Sequence, residues 1–143
     1  MAELNPEDFN YFRTKKRQIN TTHDLGAAQN QYQAQAASNQ YTRNVGDLAN
    51  AYGQAVEKHG WGHGARGLLN SGIYQKDTYD LALNGWVRPY LNMTGQHQDV
   101  QGGFSLAGQQ LGRIKGEGLQ DISEAEQARM AMEQIAAAIR AAS

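Results

Sequence analysis

The feature that most constrains the fold is an apolar repeat in the C-terminal half of the chain. From Tyr79 to Ile114, apolar and aromatic residues recur in alternating steps of three and four, and the same register resumes over Ala125–Ala142. This heptad repeat is typical of a helix that buries one seam against a partner helix. It predicts an all-α fold with a coiled-coil seam made of Tyr79, Leu83, Trp86, Tyr90, Met93, His97, Val100, Phe104, Leu111, Ile114, Met132, Ile135 and Ile139.

The residues around this seam predict that it needs a partner. Several seam positions hold aromatic residues or histidine. The positions beside the seam include glycines at 102, 103, 108, 112, 116 and 118. Each glycine inside a helix costs about 1 kcal/mol relative to alanine, so the isolated helix would be unstable. The glycines at 108, 112 and 116 form one ridge where another backbone could approach closely. We therefore predict a homo-oligomeric bundle, with three chains favoured by the aromatic seam, while pairing within one chain stays open.

The chain divides by pattern into three segments of a single elongated domain. These are a short N-terminal helix or arm over 1–20, a long helix with a glycine-rich turn over 21–70, and heptad-bearing helices over 71–143. Asn5 can cap the first helix and Pro6 suits its first position. Thr21 or Thr22 is the predicted start of the second helix, which is expected to end at Gly60 in the left-handed conformation.

A glycine-rich stretch, HGWGHGARGLLNSG, separates the second helix from the third. Trp61 is expected to close the end of the helix pair together with two leucines, and Asn70 or Ser71 to cap the next helix. The predicted turn residues are Gly60, Trp61, Arg66, Gly67, Leu68, Leu69, Asn70, Ser71 and Gly72.

Two positions threaten the continuity of the third helix. Pro89 either kinks one long helix, or opens a new helix after Asn84–Gly85 ends the previous one. Near Gly116–Gly118 the heptad register is interrupted. The chain is expected to bend there and restart with Asp121 or Ser123 as the cap.

Composition limits what the chain can do alone. Only 40% of its residues are hydrophobic and 19% are charged, with a mean hydropathy of -0.70. The polarity comes mainly from uncharged polar residues, so the chain has little apolar surface to bury on its own. Oligomerisation is one way to bury more of it. A net charge of -1 argues against binding nucleic acid. There is no cysteine, no apolar run of membrane-spanning length and no signal-peptide pattern, which predicts a soluble chain made in a cytoplasm.

No motif in the sequence supports a reaction or a cofactor. Residues 62–67 fit the pattern G-x-G-x-x-G, but a dinucleotide site requires a preceding strand and no strand pattern occurs. His59 and His63 have the spacing of a shared metal site on a helix, yet the glycines between them argue against a regular helix there. His97 is expected to set the register of the seam, with a ring of three imidazoles in a trimer as a hypothesis. We predict no enzymatic activity, no cofactor and no metal.

The segment ARGLLNSGIYQKDTYDLALN, residues 65–84, resembles a recurring stretch in small structural proteins of bacteriophages that infect actinobacteria. In that family an Arg-Gly-aliphatic-x-x-Ser-Gly turn joins two long helices, and here Arg66, Gly67, Leu68 and Asn70–Gly72 match it. The resemblance implies a minor tail protein, or another small virion protein, at the tail tip. It also implies helical packing with itself and with other virion proteins, and no reaction.

A second resemblance belongs to a different class. Small secreted bacterial helical hairpins of the WXG type carry a Trp-x-Gly turn, to which the region of Trp61 is similar, although Gly62 follows Trp61 directly. A third possibility is a virion protein associated with the capsid or with the head–tail connector.

Overall fold

The structure, a computed structural model, describes residues 6–65, 67 and 72–142. Helix α1 covers Pro6–Ala65 and helix α2 covers Gly72–Ala82. A π-helical turn at Leu83–Val87 joins α2 directly to helix α3, Arg88–Ala142. No strand occurs in these described ranges, so the all-α prediction is confirmed.

Helix α1 begins at Pro6 and does not break near residue 20, so the predicted start of a second helix at Thr21 or Thr22 is wrong. Residues on both sides of that position pack against α3. Ile19 lies against Gly118, and Leu111 lies against Gly26, with 3.1 Å between Leu111 Cδ2 and the position a Cβ at Gly26 would take. A continuous helix keeps both contacts, and their packing outweighs the weak local tendency of threonine to cap.

The end of α1 lies five residues beyond Gly60, so the prediction that Gly60 terminates it is wrong. Gly67 takes the left-handed conformation instead, with a φ of 71°. Its N–H donates a hydrogen bond to the carbonyl oxygen of Gly64 at 3.0 Å. Glycine adopts this conformation without the Cβ penalty of other residues, which is why it commonly follows a helix.

The remaining residues of the predicted turn have different outcomes. Trp61 lies inside α1 with 68% of its surface exposed, so the expectation that it closes the end of the helix pair is wrong. Gly72 is the first residue of α2. Five predicted turn residues and one predicted helix cap lie outside the described residues: Arg66, Leu68, Leu69, Asn70, Ser71 and Asn5.

Neither Asn84–Gly85 nor Pro89 ends a helix. The N–H of Arg88 bonds to the carbonyl of Leu83, five residues back, which is the wide π-type bond. Pro89 follows at once. Proline has no N–H, and in a regular α-helix its ring would clash with the carbonyl four residues earlier. We infer that the π-helical turn accommodates Pro89 and lets the helix continue into α3.

The predicted bend near Gly116–Gly118 is also wrong, because α3 is continuous through these residues. At Gly118 a Cβ would lie 3.3 Å from Cδ1 of Ile19. The missing side chain therefore allows close contact with α1, and this contact helps to hold the segment helical.

Among the described residues, those up to Gln31 and those from Ser105 onward form one compact unit, and those within Tyr32–Phe104 form a second. In the first unit, Lys16 Nζ donates a 2.7 Å hydrogen bond to Glu126 Oε2. Further along α1, Asn30 lies near Gly108. Residues later in α1 therefore contact residues earlier in α3, so the two helical segments of this unit are antiparallel.

The second unit has the same antiparallel order within itself. Its α1 segment places Tyr41 beside His97 and Tyr52 beside Trp86. Several residues of the predicted seam therefore contact α1 of their own chain. The three sequence-based segments, the coiled coil and the oligomer remain predictions.

Very little apolar surface is enclosed. Among the described residues, Phe12 is the only buried hydrophobic side chain, with 8% of its surface exposed. Phe12 makes an edge-to-face contact with Tyr11 at a centroid distance of 5.4 Å. Many other large apolar side chains are exposed, so much of the apolar surface of these residues is not buried within the chain itself.

Candidate functional site: aromatic contacts and exposed apolar faces

The central contact of the second unit is a stack between Tyr41 of α1 and His97 of α3. The two rings are nearly parallel, at 9°, with centroids 4.2 Å apart. The hydroxyl of Tyr41 also forms a 2.8 Å hydrogen bond with the hydroxyl of Thr94, one turn before His97. Because Thr94 and His97 are three residues apart on α3, one tyrosine can contact both. His97 thus packs within its own chain, and the hypothesis of an imidazole ring between three chains has no support from this contact.

The hydrogen bond between Tyr41 and Thr94 gives a direct test of this packing. We expect Tyr41→Phe to lower the free energy of unfolding by about 1 kcal/mol, because it removes the bond and keeps the stack. Thr94→Val should cost a similar amount, and the double variant little more, because both changes remove one shared bond. Urea unfolding followed by circular dichroism measures these values.

Tyr32→Phe is the matched control, since Tyr32 also lies on α1 and is 76% exposed. It should change stability by less than about 0.3 kcal/mol. Additive losses in the Tyr41 and Thr94 variants would show that the two hydroxyls do not interact.

A second histidine is held between helices near the end of α1. His59 stacks on Tyr74 of α2, with centroids 5.0 Å apart, and its Nε2 lies 3.0 Å from Oγ1 of Thr78. The hydroxyl of Thr78 donates to the carbonyl of Tyr74 at 2.7 Å. A hydroxyl has one proton, so His59 donates to Thr78 through Nε2–H.

This geometry assigns His59 a packing role. The Nε2 atom is used within the chain, and the side chain of the proposed metal partner, His63, lies outside the described part. Across the described residues, no group of three or more His, Asp or Glu side chains could hold a metal ion. Gly62 and Gly64 lie in helix α1 rather than after a strand, so the context that a G-x-G-x-x-G phosphate loop requires is not present.

An aromatic cluster lies at the π-helical turn. Trp86 stacks on Tyr90 with centroids 5.4 Å apart, and Tyr52 of α1 lies 6.0 Å from Trp86 in a tilted arrangement. Tyr52 also approaches Gly85, where a Cβ would be 3.4 Å from the tyrosine ring. Gly85 therefore gives the ring room beside the helix, and the cluster joins α1 to the turn that precedes Pro89.

The structure divides the predicted seam residues into two groups. One group contacts α1 or is half-buried: Leu83, Trp86, Tyr90, Met93, His97, Phe104 and Leu111. The other group is exposed by 45% or more: Tyr79, Val100, Ile114, Met132, Ile135 and Ile139. Whether the exposed group forms an oligomer interface stays a prediction.

The sequence analysis did not assign the residues of α1 that contact α2 and α3. Tyr41 and Tyr52 of α1 contact His97 and Trp86 of α3. His59 of α1 contacts Tyr74 of α2. The interval of eleven residues between Tyr41 and Tyr52 does predict that both lie on one face of a straight helix, but it does not identify the residues they contact. Thr78 and Thr94 carried no such signal, because a polar residue beside a seam looks like any solvated position.

The glycines along α3 are less enclosed than the sequence suggests. A Cβ at Gly102, Gly103, Gly112 or Gly116 would meet nothing within 4 Å. Gly108 has one neighbour, Asn30 Nδ2, at 3.5 Å from the Cβ position. The predicted ridge of close backbone approach along 108, 112 and 116 is therefore not formed by the chain's own helices.

No helix in the described residues is long and apolar enough to cross a membrane. Comparison with models of known protein families, with curated proteins and with solved structures gives no match to this chain.

Proposed function

We propose that the protein is a structural component of a bacteriophage virion, a minor tail protein at the tail tip that assembles by helical packing and catalyses no reaction. In this proposal the chain packs with further copies of itself, as a homotrimer, and with other tail proteins. It is made in the host cytoplasm and resides in the particle.

The observation that carries the proposal is the exposure of large apolar side chains along both long helices. On α1, Leu25 is 68% exposed and Tyr32 76%, and on α3, Ile135 is 61% exposed and Ile139 66%. Isolated exposed apolar residues are common, but here almost no apolar side chain is buried among the described residues. Such a chain gains stability when neighbours in an assembly cover these residues.

A role in the virion is supported by the resemblance of residues 65–84 to a turn in small phage structural proteins. Composition supports it as well, since uncharged polar residues outnumber charged ones and long helices suit a part that is enclosed by other proteins. The helical content of the described residues is compatible with this role.

The test is to ask whether the protein is part of a particle. Particles from cells that produce the protein are purified on a density gradient, and peptides of the chain are quantified by mass spectrometry. We expect the protein to sediment with intact particles at a fixed number of copies, and with tails after tails and heads are separated. Recovery with heads alone would favour a capsid or connector protein instead.

A second candidate is a secreted helical hairpin of the WXG type. It is favoured by the antiparallel order of the helices in the second unit, where Trp61 lies near the end of α1. Release of the protein into the medium without particles, dependent on a secretion ATPase, would support this candidate and contradict the virion proposal. A tape-measure gene beside the coding sequence would support the tail protein.

A further inference from the structure

The last part of α3 has two different faces. One face contacts or approaches α1 and includes Glu126, which bonds to Lys16. The other face is exposed at every position of an apolar heptad pattern, which we call the C-terminal stripe: Ala125, Ala128, Met132, Ile135, Ile139 and Ala142. Its three large side chains are exposed by 59% at Met132, 61% at Ile135 and 66% at Ile139.

The spacing within the C-terminal stripe is that of a coiled coil. The six residues alternate in steps of three and four across Ala125–Ala142, so they occupy successive core positions of the heptad. A helix that only covers α1 needs one such face, and α3 already has it. The stripe is therefore a second helical interface that the chain itself does not occupy.

The charged residues beside the stripe indicate what occupies it. Glu124 lies immediately before core position 125, and Arg129 lies immediately after core position 128, so they take the two flanking positions of the heptad. In a parallel coiled coil the first flanking residue of one chain meets the second flanking residue of the other, five positions further on. Glu124 and Arg129 are five positions apart. A parallel pair of stripes thus brings Glu124 of each copy next to Arg129 of the other copy.

An antiparallel arrangement does not give this match. Flanking positions then pair with positions of their own kind. With Met132 opposite Ile135 as the central layer, Arg129 comes near Ala136 of the other copy and not near its Glu124. Arg129 Nη2 lies 3.2 Å from Oε1 of Glu133 within its own helix. The side chain of Arg129 is 41% exposed, so a carboxylate of a second copy can approach its guanidinium.

We propose that the C-terminal stripe binds the same stripe of a second copy of this chain in parallel register, with Glu124 and Arg129 forming ion pairs between copies. In a trimer each neighbouring pair of chains repeats the same contact. The inference rests on the proposed function, because it names one partner surface through which the assembly forms.

The interface is short, which sets the expected strength of the association. The stripe spans 18 residues and buries less than the roughly 800 Å² per partner that is typical of a stable complex. We expect the isolated full chain to self-associate with a dissociation constant on the order of 10–100 µM. Copies held together in a particle would be bound more firmly through effective concentration.

The experiment is sedimentation velocity of the full chain from about 1 µM to about 1 mM, a range that brackets the expected constant. Ile135→Asp should weaken the association at least about 30-fold, because it places a charge in the core of the seam. Gln134→Asp is the matched control, since Gln134 is exposed on the same helix turn and outside the stripe. It should change the constant less than about twofold. Circular dichroism of each variant verifies that the helices are intact.

Charge reversal tests the parallel register. Glu124→Arg and Arg129→Glu should each weaken the association about 3- to 10-fold, because each puts like charges together. The double variant E124R/R129E should restore it, since the ion pairs re-form with exchanged partners. Both Arg129→Glu and the double variant lose the contact between Arg129 and Glu133. Recovery of the association in the double variant therefore cannot come from that contact within one helix.

Three outcomes would overturn the inference. These are a monomer at all concentrations, an association that Ile135→Asp leaves unchanged, and an association that is lost with Ile135→Asp but insensitive to charge reversal. The last would indicate a different register. A failure here together with recovery of the protein in purified particles would leave the proposed function intact. Self-association through the stripe without recovery of the protein in particles would support the inferred interface and contradict the proposed function.

Discussion

Replacing four glycines of α3 by alanine is expected to stabilise the isolated protein by about 3–4 kcal/mol. The four are Gly102, Gly103, Gly112 and Gly116, and a Cβ at each would meet no atom within 4 Å. Alanine restricts the unfolded chain and favours the helix by about 1 kcal/mol at each position relative to glycine. Urea unfolding followed at 222 nm measures the change, and the midpoint should rise while the slope stays the same.

Gly118→Ala is the matched control on the same helix. Its Cβ would lie 3.3 Å from Cδ1 of Ile19, so Ile19 must shift to accommodate it. The gain in helix propensity is then offset, and the net change should be below about 0.5 kcal/mol. A fall in stability in the quadruple variant would contradict the open surroundings of these glycines.

The quadruple variant also tests where the glycines act. Their retention in a helix is costly to the isolated chain, which suggests that a close partner in the assembly makes use of them. If so, the variant should be more stable in solution and yet enter purified particles less well than the native protein. Normal entry into particles would mean that no partner approaches these four positions closely.

The sequence predicted the helical class correctly because the heptad spacing in α3 is a property of the chain itself. The same reasoning placed helix ends wrongly at Thr21, Gly60 and Gly118, where residues that favour caps or turns stand inside continuous helices. Local preferences of about 1 kcal/mol are easily overridden by packing. At Gly118 the packing partner is Ile19, which lies almost one hundred residues away in the chain and cannot be inferred from the glycine.

The candidate surface was predictable in part. The exposed and the α1-facing residues of α3 follow the same heptad rule in sequence, so one pattern cannot tell which positions meet α1. Beyond Leu111 the face that contacts α1 and the apolar register separate, and Ile114, Met132, Ile135 and Ile139 are exposed to solvent. Predicting that separation requires the positions of both helices. The groups that contact His59 and His97 likewise come from distant parts of the chain.

The two tryptophans should differ sharply in their contribution to stability. Trp86→Ala is expected to lower the free energy of unfolding by about 2–3 kcal/mol, because Trp86 packs between Tyr52 and Tyr90 at the π-helical turn. Trp61→Ala should cost less than about 0.5 kcal/mol, since Trp61 is 68% exposed. Urea unfolding followed by circular dichroism compares both variants on one scale.

Fluorescence gives an independent readout, because each variant keeps a single tryptophan. The emission of Trp86, seen in Trp61→Ala, should lie at shorter wavelength and be less accessible to acrylamide than that of Trp61. Trp86→Phe should recover part of the lost stability by retaining an aromatic ring between the tyrosines. Equal losses from the two alanine variants would show that Trp61 is packed in solution. A small loss for Trp86→Ala would mean that the aromatic cluster does not hold α1 to the turn before Pro89.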